Sequence, residues 1–299
     1  MVAKLLEGKE VADRIRKDLV VRIAALKEKG VVPGLAVIIV GDDPASVSYV
    51  TMKGKACQDL GMYSLTVRKP ADLSEDGLLQ LIDELNHDPK VHGILVQLPV
   101  PRHIDVGKII AAIDPRKDVD GFHPTNVGKM LIGEDGGFLP ATPYGIHVML
   151  KAYGIDVAGK HVVVVGRSNI VGKPMAAILL QKGIDATVTV CHSRTKDLKA
   201  ITSQADVLIS GIGKAHFITA DMVKEGAVIA DAGSNRMDDP SAPRGYRFVG
   251  DVDFENVKDK VSAITPVPKG VGPMTIVMLM SNTVLAAERS LELQERPKV

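Results

Sequence analysis

The sequence predicts an α/β protein of two domains, each a parallel-type sheet flanked by helices, with a cleft between the domains. Three observations predict it. Short, almost wholly apolar runs alternate with helical patterns, as parallel strands covered on both faces do. The alternation comes in two series separated by a turn-rich stretch over 114–143. The length, 299 residues, is that of two ordinary domains.

In chain order, LAVIIV (35–40) reads as a strand followed by a helix over 44–60. YSLTVR (63–68) leads into a helix over 74–86, and HGILVQLP (92–99) into one over 104–113. The stretch 114–143, with DPRKDVDGFHP and GEDGG, has room for few long elements. The boundary falls at its end, and 142–153 is the connecting helix. The second series runs HVVVVG (161–166) into a helix over 172–182 and ATVTV (186–190) into one over 196–203. DVLIS (206–210) and AVIAD (227–231) continue it, and a last helix over 274–291 returns to the first domain. The expected division is 1–143 with 272–299 as one domain and 144–271 as the other. A cleft between two such domains is a common place for a ligand.

Composition narrows the partners. Lys and Arg number 37 against 36 Asp and Glu, a formal charge of +1. That leaves no polycationic field to condense on nucleic acid or an anionic membrane. Aromatics are 3% and Trp is absent, too few for base-stacking platforms. The two cysteines, Cys57 and Cys191, exclude a disulfide framework and point to a reducing compartment. The start, MVAKLLEGKEVADRIRKDL, is amphipathic and charged throughout, without the apolar core of a signal peptide. The apolar stretch 274–285 is interrupted by Ser281 and Asn282 and is too short for a bilayer. A cytoplasmic location is expected, with no nucleic-acid or membrane partner.

Four constellations carry candidate chemistry. In VVVVGRSNIVGKP (162–174) an apolar strand ends at Gly166 and a helix begins near Gly172. Such a joint offers backbone N–H groups and a positive helix end to a phosphate and makes the second domain Rossmann-like. Arg167 and Ser168 occupy its tight turn, so it departs from G-x-G-x-x-G, and an ordinary βα loop is the alternative. Tyr49 and Lys53 stand i,i+4 on a helix, either as a proton-transfer pair or as a phenol lying on an exposed lysine stem. The same spacing occurs in short-chain dehydrogenases, but there it follows the dinucleotide fold. Gln97 ends a buried strand ahead of two prolines, at the edge where parallel sheets bind ligands, or else it caps backbone there. In DVDGFHP (118–124) and GDVDF (250–254) paired aspartates hint at a metal, yet no further ligand stands at a usable spacing, and none is expected. Asp120 suits recognition of an N–H pair better, with a turn as the alternative. A Cys191–His192 nucleophile is rejected, because neighbours on a strand point to opposite faces.

Taken together, nine collinear blocks cover nearly the whole chain: SVSYVTMKGKA, GILVQLPVP, KDVDGFHP, PATPYG, VVVVGRSNIVGKP, CHSRT, DAGSNR, GDVDF and TPVPKGVGPMT. They resemble the bifunctional methylenetetrahydrofolate dehydrogenase/methenyltetrahydrofolate cyclohydrolase (FolD) family. The resemblance implies NADP-dependent oxidation of 5,10-methylenetetrahydrofolate to the methenyl form, then hydrolysis to 10-formyltetrahydrofolate. It implies that Lys53 is catalytic, with Tyr49 beside it and Gln97 orienting the ammonium, all three also meeting the substrate. It implies that Asp120 holds the pterin ring and that Pro268, Gly270, Val271 and Gly272 lie along the folate. Gly166, Arg167, Ser168, Ser193 and the backbone at Ser234 are the implied cofactor contacts. A homodimer working in one-carbon metabolism and purine biosynthesis completes the implication. Two positions depart from the family pattern: Ala141, where Cys is usual, and Lys269, where Gly is usual.

The residues themselves favour NADP over NAD. The acid that would hold an adenosine ribose near the end of the second strand is missing from 191–195, where Ser193 and Arg194 stand instead. Lys269 is expected at negative φ, with Gly270 and Gly272 supplying any unusual dihedrals. Two rivals remain at this point: a shikimate- or glutamate-type dehydrogenase, and a nucleotide-binding regulator without turnover.

Overall fold

The structure is a computed structural model that describes residues 3–242 and 245–295. Of the expected domain extents, 1–2, 243–244 and 296–299 lie outside the described residues. The chain begins with β1 (Lys4–Leu5), α1 (Gly8–Glu28), β2 (Gly34–Val40), α2 (Pro44–Asp59), β3 (Tyr63–Lys69), α3 (Glu75–His87) and β4 (Gly93–Val96). Then come α4 (Val106–Ala112), α5 (Pro124–Ile132), α6 (Ala141–Ala152), β5 (His161–Val165), α7 (Gly172–Leu179), β6 (Thr187–Cys191), α8 (Leu198–Thr202) and β7 (Val207–Ser210). The rest is β8 (Val228–Asp231), β9 (Asn235–Asp238), β10 (Tyr246–Val249), α9 (Phe254–Val257), β11 (Ala263–Ile264) and α10 (Val271–Glu295).

Two compact units result. One comprises Arg14–Ala141 with the chain from Ile276 onward, and is built on a parallel sheet of order β3-β2-β4. Every residue of β2 and β4 is buried, and Ile38, Leu78, Ile82 and Ile94 belong to one core cluster. This is why these strands carry no polar face. β3 lies at the edge and is only partly covered.

The other unit comprises Thr142–Thr275 with the chain up to Asp13. Its six-stranded sheet has the order β1-β11-β8-β7-β5-β6, parallel throughout. The chain leaves β5 for β6 on one side, then crosses back to β7 on the other, so the sheet's switch point lies at the C-terminal end of β5. An antiparallel hairpin of β9 and β10 stands outside the sheet, with the Arg236 guanidinium 4.2 Å from the centre of the Tyr246 ring.

Three sequence expectations need correction. The chain up to Asp13 does not join the first domain: Lys4 and Leu5 pair with Ala263 and Ile264 in the six-stranded sheet. Two-residue strands carry too little periodicity to be read. The turn-rich stretch holds α5, started by Pro124 at its N-terminus and stopped by Gly133 at φ 71°. Finally, the last helix is longer than the apolar stretch inside it, and over Val271–Leu293 it is long and apolar enough to cross a membrane. Its apolarity has an internal use, since Val277, Leu279, Met280, Val284 and Ala287 are buried.

Candidate active site

In the three-stranded unit, α2 is fixed at its start by Asp43, whose carboxylate accepts from the Ser46 N–H at 2.8 Å, with Pro44 following. Further along the helix, Tyr49 is exposed and Lys53, one turn beyond it, is partly buried. The backbone N–H of Gln97 donates to the Ile38 carbonyl at 2.8 Å, prolonging the β2–β4 ladder by one residue. Its side-chain amide then donates to the Leu98 carbonyl (2.8 Å), which turns Oε1 towards Lys53 to accept from Nζ at 2.9 Å. The amide is thereby oriented by the backbone, and in turn orients the ammonium.

The loop after α4 brings Asp120 to the same place. Asp118 pins it, accepting from the N–H groups of Phe122 (3.2 Å) and His123 (2.8 Å) and from Asn126 Nδ2 (2.8 Å). Burial pushes the Asp118 carboxyl up to about 6 despite these bonds. The Ile94 N–H donates to the Lys117 carbonyl at 2.8 Å, and Asn282 Nδ2 of α10 donates to the Val119 carbonyl at 2.8 Å. Held in this way, Asp120 lies near enough to Lys53 for the two charges to act on each other. Burial lowers the Lys53 pKa from its ordinary value while the Asp120 charge raises it; burial likewise raises Asp120, and Lys53 opposes that. A lysine with a destabilised charge beside a carboxylate is suited to taking up and returning a proton. Sequence reasoning took Asp120 for a carboxylate that recognises an N–H pair, and missed that Asp118 and Asn126 support its loop.

In the six-stranded unit, Gly166 follows β5 at φ 125°. A Cβ on Gly172 would lie 2.1 Å from the Gly166 carbonyl, so the first turn of α7 approaches the strand end as only glycine allows. Ser168 Oγ accepts from the Val171 N–H at 3.1 Å, closing the turn. After β6, His192 Nδ1 accepts from the Arg194 N–H (3.1 Å) and Thr195 Oγ1 accepts from the His192 N–H (2.8 Å). This tight turn leaves Ser193 and Arg194 exposed at the same sheet edge as the exposed Arg167 and Ser168, with no carboxylate over 191–195. The geometry fits a phosphorylated dinucleotide: a glycine-only approach of helix to strand for one phosphate, and cations with hydroxyls for another. Ser234, also exposed, follows β8 on that edge. Cys191 is fully buried and burial raises its thiol pKa, which agrees with rejecting it as a nucleophile.

The loop before α10 differs from expectation. Lys269 sits at φ 88°, and Gly270 and Gly272 are not among the positive-φ residues. Gly270 is needed for space instead, as a Cβ there would lie 2.5 Å from the Pro266 carbonyl. The side chain of Lys269 and that of Pro268 are exposed. Val271 begins α10 and is buried.

A proton-transferring lysine centre on one parallel sheet and a dinucleotide-type turn on another are the parts of a nucleotide-dependent α/β enzyme. Comparison with known proteins specifies which. Residues 6–120 match the catalytic domain, and residues 140–291 the NAD(P)-binding domain, of tetrahydrofolate dehydrogenase/cyclohydrolase. The chain belongs to that family. It is 55% identical over 290 residues to the bifunctional protein FolD of Prosthecochloris aestuarii, covering 96% of this chain and 98% of the relative. Among solved structures it is similar to the bifunctional FolD enzyme of Campylobacter jejuni, with a TM-score of 0.91, 50% identity and coverage of 96% and 99% of the two chains. It is also similar to the Trypanosoma brucei methylenetetrahydrofolate dehydrogenase-cyclohydrolase complexed with NADP and an inhibitor (TM-score 0.93, 38% identity, coverage 97% and 99%).

Proposed function

We propose that this protein is a bifunctional one-carbon folate enzyme. It oxidises 5,10-methylenetetrahydrofolate to 5,10-methenyltetrahydrofolate with NADP and hydrolyses the product to 10-formyltetrahydrofolate. The observation that carries this reading is the Lys53–Gln97 contact of 2.9 Å under the charge of Asp120, in a chain of this family. NADP, when bound, supplies the hydride acceptor; Gly166, Arg167, Ser168, Ser193, Arg194 and the backbone at Ser234 are the residues that would hold it. Asp120 takes N–H donors of the pterin, and Pro268, Gly270, Val271 and Gly272 flank the folate.

Loss of hydride leaves an amidinium-like carbon between two folate nitrogens. Water adds to that carbon, and the neutral Lys53 amine takes the proton released from the water. The carbon–N5 bond then breaks as the Lys53 ammonium returns that proton to N5, and the remaining hydroxyl proton passes to solvent as the C–OH becomes the carbonyl of the formyl group on N10. Gln97 keeps Nζ in one orientation through both transfers, and burial lowers the pKa of the amine, which favours the proton-accepting form. Tyr49, one helical turn before Lys53, lines the same face of α2.

An NADP preference is supported by the lack of a carboxylate over 191–195 and by the exposed Arg167 and Arg194. A charge-assisted contact of ~2 kcal/mol corresponds to a preference of roughly thirtyfold. The reading extends to a cytoplasmic homodimer serving purine biosynthesis, without nucleic-acid or membrane partners, supported by the formal charge of +1 and the family resemblance. The test is a spectrophotometric assay with methylenetetrahydrofolate and either cofactor, followed by detection of the 10-formyl product. Turnover with NADP is expected at the higher specificity constant. No turnover, or an equal or higher constant for NAD, contradicts it.

A further inference from the structure

Asp251 is fully buried and takes no part in the chemistry above, yet its carboxylate gathers donors from separate loops. Oδ2 accepts from Ser210 Oγ (3.1 Å) and from the N–H groups of Ile212 (2.7 Å) and Gly213 (3.3 Å). Oδ1 accepts from the Lys214 N–H (2.9 Å) and from Asn235 Nδ2 (3.0 Å). One carboxylate, standing after β10, thus fixes the end of β7, the segment 211–214 and the start of β9. Asp231, the last residue of β8, holds Asp251 in place: its Oδ1 accepts from the Asp251 N–H (3.1 Å) and its Oδ2 from the Val252 N–H (2.9 Å).

The segment gripped by Asp251 borders the Gly166 turn. The Gly211 N–H donates to the Val165 carbonyl at 3.1 Å, and a Cβ on Gly166 would lie 2.8 Å from the Gly211 carbonyl. Ser210 and Val165 are register partners at the ends of their strands. The segment 211–214 is therefore the rim beside which a dinucleotide on the Gly166 turn would seat. A buried carboxylate is an expensive way to fill a core, and it is retained where several donors must be held in one arrangement.

We propose that Asp251 is a positioning residue for the cofactor: it sets 211–214 and Asn235 as the rim of the dinucleotide edge without itself touching the cofactor. The inference rests on reading that edge as the NADP site. An asparagine in its place keeps one acceptor oxygen and turns two N–H groups towards donors, so the rim loosens.

The test is calorimetric titration of NADP into the parental protein and Asp251→Asn, paired with the rate of methenyltetrahydrofolate hydrolysis measured without NADP. Asp251→Asn should bind NADP about tenfold more weakly or worse, since bonds to a charged acceptor are lost. Hydrolysis, which needs no cofactor, should stay within about twofold of the parental rate, because the Lys53 centre lies on the other sheet. Unchanged NADP affinity, or an equal proportional loss of hydrolysis, overturns the proposal. Should Asp251→Asn not fold, the double variant Ser210→Ala/Asn235→Ala removes two donors, keeps the carboxylate, and is judged by the same two readouts. A parental protein that binds no NADP at all overturns the cofactor reading instead.

Discussion

The tripeptide Asp-Val-Asp occurs twice, at 118–120 and 251–253, and the two copies can be compared residue for residue. In both, the leading aspartate is buried and collects backbone N–H groups, from Phe122 and His123 in one and from Ile212, Gly213 and Lys214 in the other. The second aspartates part company. Asp120 points its charge at Lys53, whereas Asp253 opens the short helix α9 and accepts from Asn256 Nδ2 at 2.7 Å. The same local sequence makes the same loop anchor, and topology decides what the remaining carboxylate meets. In the three-stranded unit that is a lysine able to move protons; in the six-stranded unit the anchor itself is the useful part.

The largest effect should come from the lysine that only one copy meets. Lys53→Met keeps the bulk of the stem and removes the proton carrier, and methenyltetrahydrofolate hydrolysis should fall ~10²–10⁴-fold in a steady-state assay. Parental activity in that variant would remove Lys53 from the mechanism. Next comes the anchor. Asp118→Ala strands two backbone N–H groups and one N–H of the Asn126 amide, and should cost about 2–4 kcal/mol in a denaturant titration. Asp120→Asn, by contrast, should leave the unfolding midpoint close to the parental value. Equal destabilisation by both would erase the distinction between anchor and free carboxylate.

The pH profile sharpens the same contrast. Burial lowers the Lys53 pKa and the Asp120 charge partly restores it. Removing that charge in Asp120→Asn lowers the Lys53 pKa further, so the neutral amine accumulates at lower pH. The rising limb of the hydrolysis profile should therefore move towards acid. A move towards alkali, or none, would show that the Asp120 charge does not reach Lys53.

Much of this was legible in the sequence because it rests on local rules. The apolar runs 35–40 and 161–165 are buried strands; Tyr49 and Lys53 could be placed by helical spacing, Gln97 by its strand end and Asp120 by its D-G turn, while the family resemblance supplied their joint role. What was hidden depends on distant partners. Lys4 and Leu5 become a strand only by pairing with Ala263 and Ile264. Asp251 looks like half of a metal motif until the loop after β7 is folded onto it. Lys269 is expected at negative φ because Gly270 and Gly272 stand beside it to take any unusual dihedral, yet it sits at φ 88° itself, and Gly270 is needed for space.

Lys269 gives the smallest predicted effect. At φ 88° an L side chain is strained by on the order of 1 kcal/mol. Lys269→Gly relieves that strain while adding freedom to the unfolded chain, so net stabilisation should be about 0.5 kcal/mol by denaturant titration. A clear loss of stability would mean that the lysine contributes contacts its exposure does not suggest.

The division of labour between the two aspartate motifs is tested most directly by titrating Asp120→Asn with tetrahydrofolate and, separately, with NADP. A carboxylate facing N–H donors makes charge-assisted bonds worth about 1.5–3 kcal/mol, so folate should bind roughly 10–150-fold more weakly. NADP affinity should equal that of the parental protein, because the dinucleotide edge belongs to the other sheet. Unchanged folate affinity, or matched losses for both ligands, would contradict the account.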